Sequence, residues 1–231
     1  MNNSTILTTS PYSESVAHDA LRRWGREPVP LPRPVVLLTG WGMPRHMLDA
    51  YRFALERLTV GWEGHIHRRA IHLLSTIPHL GSDLAEAIED DEPNASSVDV
   101  IAQSMGGIVA REAARAFRST RLRIHRLYTL ASPHAGGRPI VRCVCDPKAW
   151  ALSQTSSYLC ELNADASSHD FPIMTLRLRR DFFVPRHSAH AVGTRHYDLD
   201  CMRAWHPPHT WSQWDVRLMA IILGDLLGHA A

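Results

Sequence analysis

Residues 98–111 read VDVIAQSMGGIVAR, and the fold turns on how this stretch divides. From Val98 to Ala102 the chain is mostly apolar and β-branched; beyond Gly107 the apolar positions recur with helical spacing. Ser104 stands between the two halves with almost no loop. A strand that turns sharply into a helix at a serine lifts Oγ out of the sheet. It also sets the N–H of the next residue, Met105, beside that oxygen, and aims the helix N-terminus at any negative charge that develops there. The strand and helix backbones nearly touch at such a turn, so the residues two before and two after the serine must be small. Here they are Ala102 and Gly106, and Gly107 lets the helix pack closer still.

The same alternation continues on both sides. Pro34–Gly40 (PVVLLTG) has the continuous apolar character of a strand buried on both faces. Met47–Leu58 follows as a helix, His65–Leu74 as a strand and Asp83–Glu89 as a short helix closed by DDEPNAS. Strands are predicted again at Ser97–Ala102, Ile124–Leu130, Pro172–Leu178 and Arg195–Cys201, with a helix over Met105–Phe117. The last helix puts Val216, Met219, Ala220, Leu223, Leu226 and Leu227 on one face. This order predicts an α/β fold, a mainly parallel sheet with helices on both faces. Residues 1–33 read as a lead-in, one amphipathic helix in SESVAHDALRRW followed by an extended, proline-punctuated approach. The α/β domain is then 34–231, in which 134–170 is less regular and is expected to form at most a small cap, short for a full lid.

The bulk properties agree with one such domain. The chain has 231 residues, 45% of them hydrophobic, enough for a sizeable core. A net charge of +2 points to neither nucleic acid nor an acidic partner. The cysteines, Cys143, Cys145, Cys160 and Cys201, form no paired zinc pattern and no disulfide framework, so free thiols are expected. The first fifteen residues lack a basic, apolar leader, and LMAIILGDLLG is too short and too acidic to span a bilayer, so a cytoplasmic location without membrane insertion is expected. Oligomeric state is not legible.

AQSMGG, after a β run and before a helix, resembles the nucleophile elbow of the α/β-hydrolases, in particular the lipase and esterase branch, close to small bacterial lipases and lipid deacylases. The usual first glycine is alanine here, and Gln103 stands where many lipases carry histidine. PVVLLTGWGMP resembles the family's early strand and oxyanion loop, with Thr39 where histidine is common. The resemblance implies that the N–H groups of Trp41 and Met105 form the oxyanion hole. LYTLASPHAGG resembles a lipase strand ending in a Pro-His-x-Gly turn, which makes His134 a support residue. ALSQTSSYLCELN resembles the short helix before the acid-bearing strand.

A serine hydroxyl needs a base, and the base needs an orienting carboxylate. In this family the order is serine, acid, histidine. MTLRLRRDFFVPRHSA resembles the Asp-x-x-Val-Pro turn that carries the acid, which selects Asp181, with Asp198 and Asp200 as fallbacks. His196 lies too early, within the last strand. His206 and His209 flank Pro207 and Pro208 ahead of the final helix; HTWSQWDVRLM matches the family's helix entry, so His209 is the expected base and His206 the alternative. The expected activity is cleavage of a small ester or lipid-like substrate through an acyl-enzyme, in lipid metabolism, with no cofactor. Three other readings stand beside it. One is a metal site drawn from His187, His190, His206 and His209, with Cys201 and Asp181 near in sequence. Another is a non-catalytic member of the fold that binds an acyl ligand or a protein. The third is a thioesterase, amidase or acyltransferase using the same triad. Trp41, Phe182, Phe183, Trp205, Trp211 and Trp214 are expected around an apolar site mouth.

Overall fold

A seven-stranded sheet organises the protein in the computed structural model, which describes residues 5–7, 10–71, 75–117, 120–138, 147–165, 168–190, 195–201 and 207–229. In chain order the elements are β1 (Thr5–Leu7), α1 (Glu14–Trp24), β2 (Val29–Pro30), β3 (Val35–Trp41), α2 (Asp49–Leu58), β4 (Thr59–Val60), β5 (Ile66–Ile71), α3 (Ile77–Asp91), β6 (Ser97–Gln103) and α4 (Met105–Ala116). They continue with β7 (Arg123–Leu130), α5 (Pro147–Ala151), α6 (Ser157–Ala164), β8 (Ile173–Leu178), α7 (Arg186–Ala189), β9 (Arg195–Leu199), α8 (Pro208–Trp211) and α9 (Val216–Leu227). The strand order is β1-β9-β8-β7-β6-β3-β5, and every pairing in this sheet is parallel. β2 and β4 pair separately as a short parallel ribbon.

Parallel strands covered on both sides must be apolar at successive positions, and β3 is. Val35 and Leu37 face a core built with α1, α2 and α9, while Val36 and Leu38 face one built with α3 and α4. Each such side chain, fully removed from water, contributes about 1.5–3 kcal/mol before entropy is charged against it. The face of α9 that carries Met219, Ala220, Leu223 and Leu226 packs in the first of these cores.

Some elements differ from the sequence-based outline. α3 begins at Ile77 rather than near Asp83, and runs to Asp91. Pro78 sits in its first turn, where the missing N–H has no helical partner to lose. Gly81 lies against α4 so closely that a Cβ would come 2.6 Å from Glu112 Cβ. Both residues look like helix breakers in sequence, yet one starts the helix and the other lets it dock. β5 ends at Ile71, and residues 72–74 fall outside the described ones. Within 1–33, β1 adds an edge strand against β9 in the register Thr5↔Arg195, and α1 packs on α9. In the 134–170 interval, α6 packs its Leu159 and Leu162 into the α3–α4 core. Arg111 of α4, fully buried, grips that interval through the Leu162 and Ser168 carbonyls (3.1 and 3.2 Å) and Asn163 Oδ1 (2.8 Å).

From β3 the chain moves outward to β5, then returns to the other side of β3 as β6 and proceeds through β7, β8 and β9. The winding direction therefore reverses between β3 and β6. In open α/β sheets that reversal opens a crevice at the carboxyl ends of the two strands.

The opposite end of β6 carries a buried carboxylate. Asp99 is 1% exposed and faces Arg33 at 3.5 Å. Burial pushes its carboxyl up to about 6, with Arg33 and Arg126 pulling the other way. A raised carboxyl pKa gives stability that is fully present below the unfolded value near 4 and is lost as pH rises through about 6. Asp99→Asn should therefore gain on the wild type between pH 4 and pH 7, by on the order of 2–3 kcal/mol. Urea unfolding of both proteins across that range checks this; identical pH dependence in the two would refute it.

Candidate active site

The turn at Ser104 lies in the crevice, at the carboxyl end of β6. Its backbone has φ 51° and ψ −125°, a conformation an L-residue adopts only when its surroundings enforce it. The enforcement is steric and comes from glycines. A Cβ on Gly106 would sit 2.8 Å from the Leu38 carbonyl oxygen and 2.9 Å from that of Thr39, both fixed backbone of β3. A Cβ on Gly40 would come 2.9 Å from Ser104 Cβ, and one on Gly107 would strike Ser132. The helix N-terminus, the serine and the end of β3 are thus pressed together where any larger residue would part them. The Ser104 N–H donates to the Leu130 carbonyl at 2.8 Å, which ties the turn to β7.

His209 enters from α8, a single short turn started by Pro208. Its Nε2 lies 2.9 Å from Ser104 Oγ, and its Nδ1 2.9 Å from Asp181 Oδ2. Asp181 follows β8 after Arg180, itself at φ 64°, and its carboxylate is shielded from solvent. The other oxygen, Oδ1, accepts the N–H groups of Phe183 (2.8 Å) and Val184 (3.0 Å). A carboxylate facing Nδ1 holds the proton there and leaves Nε2 free to accept from the serine hydroxyl. The structure therefore brings Ser104, Asp181 and His209 into one hydrogen-bonded line.

Met105 is the first residue of α4, so its N–H has no acceptor within the helix. Trp41 ends β3 and lines the same cleft as Ser104. Thr39, at the position where the resemblance expects histidine, donates its hydroxyl to the Met43 carbonyl at 3.0 Å and closes the turn after β3. Gln103, the other departure from the family pattern, donates from Nε2 to the His209 carbonyl at 3.4 Å, and Ser212 Oγ donates to the same oxygen at 2.9 Å.

The remaining candidates are placed elsewhere. His134 is buried, with Nε2 3.1 Å from Thr129 Oγ1, and its carbonyl accepts from Asn163. Burial pushes its pKa well down, so the ring is neutral. His196 points from β9 to Thr175 and packs against the tilted ring of His190, while His187 meets Gln154. Asp198 is paired with Arg177 and Arg186, and Asp200 with Arg179 at the surface. His206 and Trp205 lie outside the described residues. Trp211 packs against the α9-side core, and Trp214 is exposed. Among the described residues, no group of three His, Cys, Asp or Glu side chains is arranged to hold a metal ion, and Cys160 is a free thiol.

Sequence reasoning missed a brace beneath the acid turn. Arg177, buried in β8, donates from Nη1 to the Val184 carbonyl at 2.7 Å while Nε binds Asp198. Its only signal was an arginine in the otherwise apolar run IMTLRL.

Ser104 and His209 open into a cleft of about 270 Å³, walled by Trp41, Met43, Leu152, Phe183 and Val184, with the exposed Arg138 at its rim. Phe183 packs its ring 5.1 Å from that of His209.

This sheet, winding and serine turn define an α/β-hydrolase fold. Within it, residues 54–142 match the family model described as the PGAP1-like alpha/beta domain. Among solved structures, the mature form of the Bacillus licheniformis lipase BlEst2 is similar at 13% identity and a TM-score of 0.60, covering 87% of this chain and 93% of that one. A thermophilic esterase from Thermogutta terrifontis is similar at 17% identity and a TM-score of 0.55, covering 87% and 91%. The RedJ thioesterase of the prodiginine pathway in Streptomyces coelicolor is similar at 15% identity and a TM-score of 0.55, covering 86% and 88%. No curated protein matches the sequence. Among the described residues no helix is long and apolar enough to cross a membrane.

Proposed function

We propose that the protein is a serine hydrolase that cleaves carboxylic esters of small or lipid-like molecules through an acyl-enzyme on Ser104. The observation that carries this reading is the Ser104–His209–Asp181 line, with both contacts at 2.9 Å, opening into a largely apolar cleft. His209 Nε2 takes the hydroxyl proton as Ser104 Oγ bonds to the ester carbonyl carbon. Asp181 stabilises the imidazolium that forms. The N–H groups of Met105 and Trp41 hold the oxyanion of the tetrahedral intermediate; losing one such donor costs about 10²–10³ in rate. The intermediate collapses as the carbon–oxygen bond to the alcohol breaks, and His209 hands its proton to the departing oxygen. Water then repeats the sequence on the acyl-enzyme, releasing the acid and restoring Ser104.

A fluorophosphonate probe tests this directly. Stoichiometric labelling of the folded protein, with the adduct located at Ser104 by mass spectrometry, is the expected result, together with turnover of short and medium-chain chromogenic esters. Folded protein that neither takes up the probe nor turns over an ester would exclude the reading.

A further inference from the structure

We propose that Arg138 forms an anion-recognising subsite at the rim of the cleft, so that the preferred esters carry a negatively charged oxygen group on the part of the molecule lying beyond the reacting carbonyl. The proposal rests on the hydrolase reading above and specifies its substrate class.

The placement of Arg138 is fixed by backbone. Its N–H donates to the Phe183 carbonyl at 2.9 Å, which joins it to the acid turn. The preceding N–H, of Gly137, donates to the Leu152 carbonyl at 2.8 Å, and Gly137 also bridges to Ser153. Two walls of the cleft therefore hold the root of this side chain. The guanidinium lies over the Phe182 ring at 5.3 Å from its centroid, an aromatic seat that orients its plane without using its N–H donors.

The charge balance of the cleft is one-sided. Of the described side chains that line it, Arg138 is the only one with a permanent charge; the rest are apolar, hydroxyl-bearing or the His209 ring. No carboxylate pairs with Arg138 among the described residues. Asp181, the acid of the turn to which Arg138 is joined, is shielded from solvent and committed to His209 and two backbone N–H groups. Arg186 and Arg179, by contrast, are paired with Asp198 and Asp200. An unneutralised guanidinium beside an apolar slot fits an amphiphile with an apolar limb and an anionic oxygen group, either carboxylate or phosphate.

Two matched substrate pairs test the proposal. The first is the 4-nitrophenyl monoester of a dicarboxylic acid against its methyl-capped, neutral form. The second is the 4-nitrophenyl ester of a hydroxy acid whose distal hydroxyl carries a phosphate monoester, against the same ester with that phosphate capped as its neutral dimethyl ester. The ratio of kcat/KM, anionic over neutral, is expected to be about three- to tenfold at low salt and to shrink as salt is raised. In Arg138→Gln the ratio should fall to about one, and in Arg138→Glu it should drop below one. A preference in both pairs supports the shared anion chemistry, and a preference in the phosphate pair alone assigns the subsite to phosphate. Hydrolysis of the neutral members with no anionic preference in either pair, or a preference untouched by both variants, overturns the subsite and leaves the hydrolase reading intact. No turnover of any member together with no phosphonate labelling overturns both.

Discussion

Ser104→Ala and His209→Ala should each lower kcat on a chromogenic ester by on the order of 10⁶, and the double variant should be no worse than either. The non-additivity follows from the geometry. Ser104 Oγ and His209 Nε2 share one hydrogen bond of 2.9 Å, so removing either partner removes the same proton transfer. What remains in all three variants is the proposed pair of backbone donors and the cleft. The serine variant is also a clean one. Alanine keeps the Cβ that abuts Gly40, and neither residue relieves the turn at φ 51°, so the thermal midpoint should stay close to that of wild type. Saturation kinetics and a thermal melt on the three variants check this. Ser104→Ala retaining more than about a hundredth of wild-type kcat would remove Ser104 from the chemistry.

Asp181→Asn should cost about 10⁴ in kcat at neutral pH with little change in folding. Oδ1 of Asp181 accepts two backbone N–H groups, so an asparagine must keep its carbonyl oxygen there. Its amide nitrogen then replaces Oδ2 and presents N–H donors to His209 Nδ1. Nδ1 is forced to accept, the ring proton moves to Nε2, and the atom facing Ser104 becomes a donor that cannot take the hydroxyl proton. Asp181→Ala removes the carboxylate without imposing that tautomer, and should be less impaired than Asp181→Asn. Measuring both on one ester separates the explanations: an asparagine variant as active as the alanine variant would mean that the carboxylate acts through its charge alone.

Much of this was legible because the turn at Ser104 demands small residues at fixed offsets. Ala102, Gly106 and Gly107 are small for reasons of backbone contact that hold whatever the protein does. The order of strands and helices was legible because strands buried on both faces read as unbroken apolar runs. α3 was misjudged because Pro78 and Gly81 carry opposite meanings in isolation and in contact: the first turn of a helix tolerates proline, and a tightly apposed helix requires glycine. β1 was illegible because three residues carry no periodicity, and its only warrant is β9, which lies nearly the whole chain away. The brace from Arg177 to the acid turn was hidden for a related reason. A buried arginine is explained by its partners, Asp198 and the Val184 carbonyl, and sequence does not announce partners. Gln103 was seen only as a departure from a family pattern; its link to the loop of His209 needs both ends in space.

The distance along the chain between the members of the relay has a consequence for timing. Ser104 and His209 are 105 positions apart, and the sheet that aligns them pairs only parallel strands, so each neighbour is reached by a crossover. Contacts of such separation form late in folding, after loop closures that nothing local rewards. During synthesis β3, β5, β6 and the helix after Ser104 emerge long before α8. A nascent chain thus carries its serine turn without the partner ring, and Ser104 meets His209 only when α8, close to the end of the sequence, docks.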